Sequence, residues 1–291
     1  MTSRTTTTAT TNRWLASSRL NSQATLRLFC FPYAGGGTAI YRSWAASLLA
    51  EVDVCAVQLP GRGTRLREPL ATSLQPLVRQ AAREMLPLFD RPFAFFGHSM
   101  GAITSFEMAR HLRDEYGLHA SQLFVSGRSE PRLQSASRPI HLLPEAEFIE
   151  ELRRLNGTPR EALENEELMQ MMLPVLRADF SVCETYSYTH GAALDCPITA
   201  FGGMQDPDIG RERLEGWGAH TGGPFVLRML PGDHFFIHTA QHLLLASLGR
   251  ELQQLSAKAE RGEASPSSSR AERAVAGATA ATPQLQASPA S

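Results

Sequence analysis

Cysteine is scarce in these 291 residues: Cys30, Cys55, Cys183 and Cys196 are all there are. They are scattered, and three sit in or beside apolar strand-like runs, where a free thiol behaves as a small hydrophobe. Neither a disulfide framework nor a zinc site is expected. Charge excess is missing too, since 28 Lys and Arg against 29 Asp and Glu leave a formal net charge of −1. That excludes a nucleic-acid binder relying on a global positive field. No apolar run approaches the roughly 18 residues of a membrane span, and the Thr-rich start lacks the apolar core of a secretory signal. The expected location is cytoplasmic. Two further patterns are absent: no G-K-[ST] follows a glycine-rich loop, and no glutamate lies between His234 and His238 as in H-E-x-x-H. No cofactor and no metal are therefore expected.

At this length and with ordinary apolar content, the chain can bury one sizeable core. Residues 1–23 are Thr/Ser-rich without apolar periodicity, and 256–291 are rich in Ala, Ser, Pro and Gln. Both read as disordered tails around a folded unit of 24–255. Within it, apolar runs at Leu26 to Phe31, Val52 to Leu59, Phe93 to Phe96, Gln122 to Ser126, Pro197 to Phe201 and Phe225 to Leu230 read as strands. Helical patterns separate them, around Tyr41 to Leu49, Leu74 to Phe89, Ala102 to Glu115 and Gln241 to Leu255. This alternation predicts an α/β fold, a mostly parallel central sheet with helices on both faces. The strands are continuous apolar runs, as burial of both faces requires. One stretch, about 142–188, has no convincing strand but two helical patterns, the second rich in methionine. It reads as a helical lid inserted before the fifth strand, its methionines serving equally as core or as pocket lining.

The chemistry centres on Gly97-His98-Ser99-Met100-Gly101, between an apolar strand and a helix. A G-x-S-x-G turn forces its serine into a strained conformation with Oγ exposed at the sheet rim, and the glycines avoid collisions of strand with helix. Ser99 is the candidate nucleophile. Serine needs a base, and Pro231-Gly232-Asp233-His234 directly follows the last strand, so His234 is placed at that rim. The imidazole in turn needs a carboxylate to hold its tautomer. Asp179, Asp195, Asp206, Asp208 and Asp233 are the candidates. Asp195 precedes its strand and would lie about 20 Å from the rim at about 3.3 Å per residue. Asp233, adjacent to the histidine, cannot readily fold back. Asp206 emerges at the rim after the fifth strand, with Asp208 a second choice. An oxyanion needs two backbone donors. Met100, after the nucleophile, supplies one, and Ala34, in the loop Phe31-Pro32-Tyr33-Ala34-Gly35-Gly36-Gly37, is assigned the other.

These residues resemble the stand-alone type II thioesterases of polyketide and nonribosomal-peptide synthesis, relatives of the fatty-acid medium-chain thioesterases. The resemblance spans nearly the whole folded unit. It rests on Leu28 to Gly37, on Val57-Gln58-Leu59-Pro60-Gly61-Arg62, on Gly97 to Ala102, on Leu173-Pro174-Val175-Leu176-Arg177-Ala178-Asp179-Phe180 and on Gly232 to Phe236. It implies an α/β-hydrolase fold, a triad of Ser99, Asp206 and His234, oxyanion donors at Ala34 and Met100, and no cofactor. The implied reaction is hydrolysis of aberrant or stalled acyl groups from the phosphopantetheine thiol of carrier proteins, by a monomer with no membrane or nucleic-acid partner. Gly63-Thr64 departs from the bulkier charged residues frequent in the family, and the C-terminal tail runs past its usual end. A general serine esterase or lipase, or a fatty-acyl thioesterase, would share the triad. Arg62, Arg65 and Arg67 follow the second strand to the rim, where they read either as a solvated basic loop or as a dock for an acidic carrier surface.

Overall fold

The computed structural model describes residues 12–16, 20–133, 138–158 and 160–262. The six apolar runs form strands β1 (Leu26–Phe31), β2 (Val52–Ala56), β3 (Phe93–His98), β4 (Gln122–Ser126), β5 (Ile198–Gly203) and β6 (Phe225–Leu230). They make one sheet of order β2-β1-β3-β4-β5-β6, with every neighbouring pair parallel. Every residue of β1, β3, β4 and β5 is buried, the result of helices covering both faces. Phe31 pairs with Gly97, Ser126 with Phe201 and Gly203 with Leu230, so the carboxyl ends of β1 and β3–β6 meet at one rim.

Helices α1 (Trp44–Ser47), α2 (Leu74–Met85), α3 (Met100–Tyr116), α4 (Glu145–Leu155), α5 (Arg160–Leu163), α6 (Glu166–Glu184), α7 (Arg211–Glu215), α8 (Phe236–Thr239) and α9 (Gln241–Glu260) complete the described fold. Side chains alternate across the sheet with period two. Phe29 and Phe31 of β1 join α2 and α3 in one core, whereas Leu26, Leu28 and Cys30 join Trp44, α8 and α9 in the other. A third, smaller core is internal to the insertion: Leu143, Phe148, Leu152, Met169, Leu173 and Leu176. The methionines there divide, with Met169 buried and Met171 68% exposed. The insertion lies over the strand ends. Asp179 of α6 bonds Gly35 after β1, Arg154 of α4 pairs with Asp208 after β5, and Asn156 bonds Asp233 after β6.

Three expectations need correction. The helical run from Tyr41 breaks into a 3-10 turn at Thr38–Tyr41 and the single turn α1, because Leu48 goes extended. Strand β2 stops at Ala56, beyond which Val57 bridges Leu15 in antiparallel fashion. The bridge bears on the N-terminal tail, since residues 12–16 are ordered against the domain. Trp14 is 0% exposed, its indole N–H donates to Glu84 at 2.9 Å, and the Arg65 guanidinium sits 3.9 Å from its ring centroid. Hydrogen bonds from Arg13 and Trp14 hold the Glu84 carboxyl at about 2, against the burial that would raise it. Two tryptophan-scale features, a large apolar ring and one donor, explain why an otherwise polar segment docks. The C-terminal helix runs to Glu260, and the tail from 263 lies outside the described residues.

Trp14→Ala is expected to destabilise the domain by about 3–5 kcal/mol, the range for emptying a buried aromatic site. Urea unfolding of the full chain measures it. An unchanged midpoint would mean that the strap adds nothing to the fold.

Candidate active site

Ser99 is the single residue between β3 and α3, at φ 53° and ψ −110°. A non-glycine residue there carries about 1–3 kcal/mol of backbone strain, which persists only where the surroundings impose it. Here they do. A Cβ on Gly97 would lie 2.0 Å from the Gly101 carbonyl oxygen, and one on Gly101 would lie 2.1 Å from the Phe31 carbonyl oxygen. The Ser99 N–H donates to Ser126 O at 2.7 Å, and its own carbonyl accepts from Ala102 at 3.0 Å. Strand, serine turn and helix are thus pressed into contact that only glycine permits.

The other predicted residues converge on the same rim. Asp206 Oδ2 lies 2.7 Å from His234 Nδ1, and Asp206 Oδ1 accepts the Asp208 and Ile209 amides at 2.9 and 3.0 Å. Burial pushes the Asp206 carboxyl up, but the His234 hydrogen bond and charge, with those two amides, outweigh it and hold the group below its ordinary value. Asp208, the second choice, turns outward to Arg154 at 3.6 Å and reaches His234 only through its amide's bond to Asp206. Asp195 pairs with His119 far along its strand, and Asp233 caps Phe235 N–H and Asn156. Met100 opens α3, where first-turn amides have no intrahelical acceptor. Ala34 occupies a tight turn in which Gly36 N–H donates to Tyr33 O at 2.9 Å and Gly35 takes φ +76°, the left-handed value a type II turn needs at its third position.

Two features went unread in the sequence. One is the place of His98: its ring is buried, hydrogen-bonded to Ser126 Oγ at 2.9 Å, and centred 5.2 Å from the His234 ring. Burial, then the nearby His234 and His238, press its pKa well below the histidine range, so it stays neutral. The rim arginines also differ from expectation. Arg62 forks onto Asp179 at 2.6 and 2.8 Å, and Arg65, whose side chain is 1% exposed, is spent on Glu68 and the Gln58 carbonyl. Neither presents its charge to a partner, and only Arg67 of the three is exposed. The Gly63 departure has a local cause, since its φ is +56° and a Cβ would lie 2.4 Å from Gln58 Oε1.

With this geometry in hand, comparison with known proteins is decisive. A model of the thioesterase domain matches residues 26–251. The chain belongs to the thioesterase domain family. It is 50% identical over 245 residues to linear gramicidin dehydrogenase LgrE of Brevibacillus parabrevis, covering 83% of this chain and 93% of that protein. Gramicidin S biosynthesis protein GrsT of Aneurinibacillus migulanus is 46% identical over 242 residues, covering 83% and 94%. The solved RedJ thioesterase from the prodiginine pathway of Streptomyces coelicolor superposes with a TM-score of 0.75 at 41% identity, covering 79% of this chain and 87% of its own. The fold is that of the α/β hydrolases, and this thioesterase is a hydrolase of thioesters.

The depressed Asp206 carboxyl contributes stability that is complete above its unfolded pKa of about 3.9 and is lost as pH falls through its lower folded value. Asp206→Asn should therefore flatten the acid limb of a stability-against-pH curve, and Asp208→Asn should leave that limb in place. Urea midpoints between pH 2 and 5 provide the check, and equal limbs in both variants would contradict the assignment of the shift to Asp206.

Proposed function

We propose that this thioesterase is a type II editing enzyme that clears aberrant or stalled acyl groups from the phosphopantetheine thiol of carrier proteins in nonribosomal-peptide or polyketide synthesis. The observation that carries the mechanism is the His234–Asp206 pair at 2.7 Å beside the strained Ser99 turn. The Asp206 contact occupies Nδ1, leaving Nε2 to take the Ser99 proton as Oγ attacks the thioester carbonyl. Charge on the carbonyl oxygen falls to the Ala34 and Met100 amides. Collapse breaks the C–S bond, and His234 returns the proton to the departing thiol. Water then attacks the acyl-serine, giving a proton to His234, and the acid leaves as Ser99 Oγ regains its hydrogen.

The substrate class is supported by the relatives: GrsT is named for gramicidin S biosynthesis, RedJ is a thioesterase of a prodiginine pathway, and BorB is a type II thioesterase of the borrelidin cluster. The word dehydrogenase in one relative's name would call for a dinucleotide cradle in the first glycine loop. That reading is disfavoured by Gly35, whose N–H already donates to the Asp179 carboxylate at 2.7 Å.

Ser99→Ala is expected to lower turnover of an acyl-carrier protein by at least about a thousandfold with the fold intact, and His234→Ala comparably. A variant within a factor of about ten of the parent would remove Ser99 from the mechanism. The parent should also process an acyl-carrier protein with higher kcat/KM than the same acyl group on short pantetheine, because carrier contacts remote from the thioester supply binding energy. Equal values would favour a general esterase.

A further inference from the structure

The motif Leu173 to Phe180 on α6 has no part in the triad chemistry, yet Asp179 is buried, with a side chain 4% exposed. Its carboxylate is shared between two different elements. Oδ1 takes one arm of the Arg62 fork, and Oδ2 takes both the other arm, at 2.8 Å, and the Gly35 N–H, at 2.7 Å. The same Arg62 Nη1 donates to the Gly36 carbonyl at 2.8 Å. The turn carrying Ala34 is thus gripped from outside at the amide that follows Ala34 and at the next carbonyl. One helical turn earlier on α6, Leu176 closes on the same loop, for a Cβ on Gly35 would lie 2.4 Å from Leu176 Cδ2. The three consecutive glycines, Gly35 to Gly37, offer no side chain to pin that half of the loop, whereas its first half is anchored by Tyr33, whose hydroxyl meets His238 Nε2 at 2.9 Å.

We propose that Arg62 and Asp179 are positioning residues that hold the Ala34 amide in place for the oxyanion, coupling the helical insertion to the reaction centre. The inference rests on the reading of Ala34 as an oxyanion donor. A planar guanidinium fork is suited to the task because it fixes direction as well as distance. Its effect is specific: a slackened turn leaves substrate binding and Ser99 untouched, and weakens only the interaction made as the carbonyl oxygen becomes an anion.

Single variants strand a buried charge and can cost stability for that reason alone. The test therefore uses the double variant Arg62→Met with Asp179→Leu, which removes both charges, beside Arg62→Lys, which keeps the charge and loses the fork. Three quantities are measured on the full chain: kcat and KM with an acyl-pantetheine thioester, affinity for an alkyl boronic acid that forms a tetrahedral anion on serine, and active-site concentration titrated with a fluorophosphonate. For the double variant, kcat per titrated site should fall by about 10- to 100-fold, the scale of a small misplacement of a catalytic group. Boronate affinity should fall by a similar factor while KM stays within about twofold, and Arg62→Lys should lie between variant and parent. The proposal is overturned if kcat per titrated site is unchanged, if KM alone rises, or if boronate affinity is retained. Should the parent itself not be labelled at Ser99, the acyl-serine mechanism fails, an outcome separate from any ranking of the clamp variants.

Discussion

Close backbone approach at two glycines underlies the whole arrangement. Gly101 brings the first turn of α3 against the Phe31 carbonyl at the end of β1, and Gly97 brings β3 against the same turn. Neither approach survives a side chain. Because of them the Ser99 turn and the loop that begins at Phe31 share one small volume, and the parallel register delivers the ends of β5 and β6 beside it. A parallel sheet gathers the loops after its strands on one side, and a site assembled from distant segments needs little else to bring them together.

Most of this was legible in the chain because it is local. A strand of continuous apolar residues, a serine between glycines, a histidine just past the last strand and an aspartate just past the fifth each declare themselves within about ten residues. Asp206 could be told from Asp195 by the length of β5 alone. The family resemblance rested on the same short motifs and pointed the same way.

What was not legible depends on pairs remote in sequence. Arg62 and Arg65 read as outward charges, solvated or docking, since nothing nearby reveals that Asp179 and Trp14 will meet them. A basic loop at a rim and a basic loop turned inward have identical local patterns. Trp14 was hidden in a similar way: one aromatic residue in a Thr-rich stretch carries no period, yet its buried ring, with the Leu15 bridge and the Arg13 bonds to Glu84, tethers residues 12–16. The place of His98 was hidden for the same reason, in that its ring lies against that of His234, 136 residues further along the chain.

The span of the Arg62–Asp179 pair bears on what it costs the chain to close it. Its partners stand 117 residues apart, against 28 for Asp206 and His234. The loop it closes holds β3, β4 and most of the insertion, and the entropic cost of closing a flexible loop grows only with the logarithm of its length. A tie across much of the domain therefore comes at little more entropic cost than a near one: a roughly fourfold greater span adds only about 1.2 kcal/mol of loop entropy.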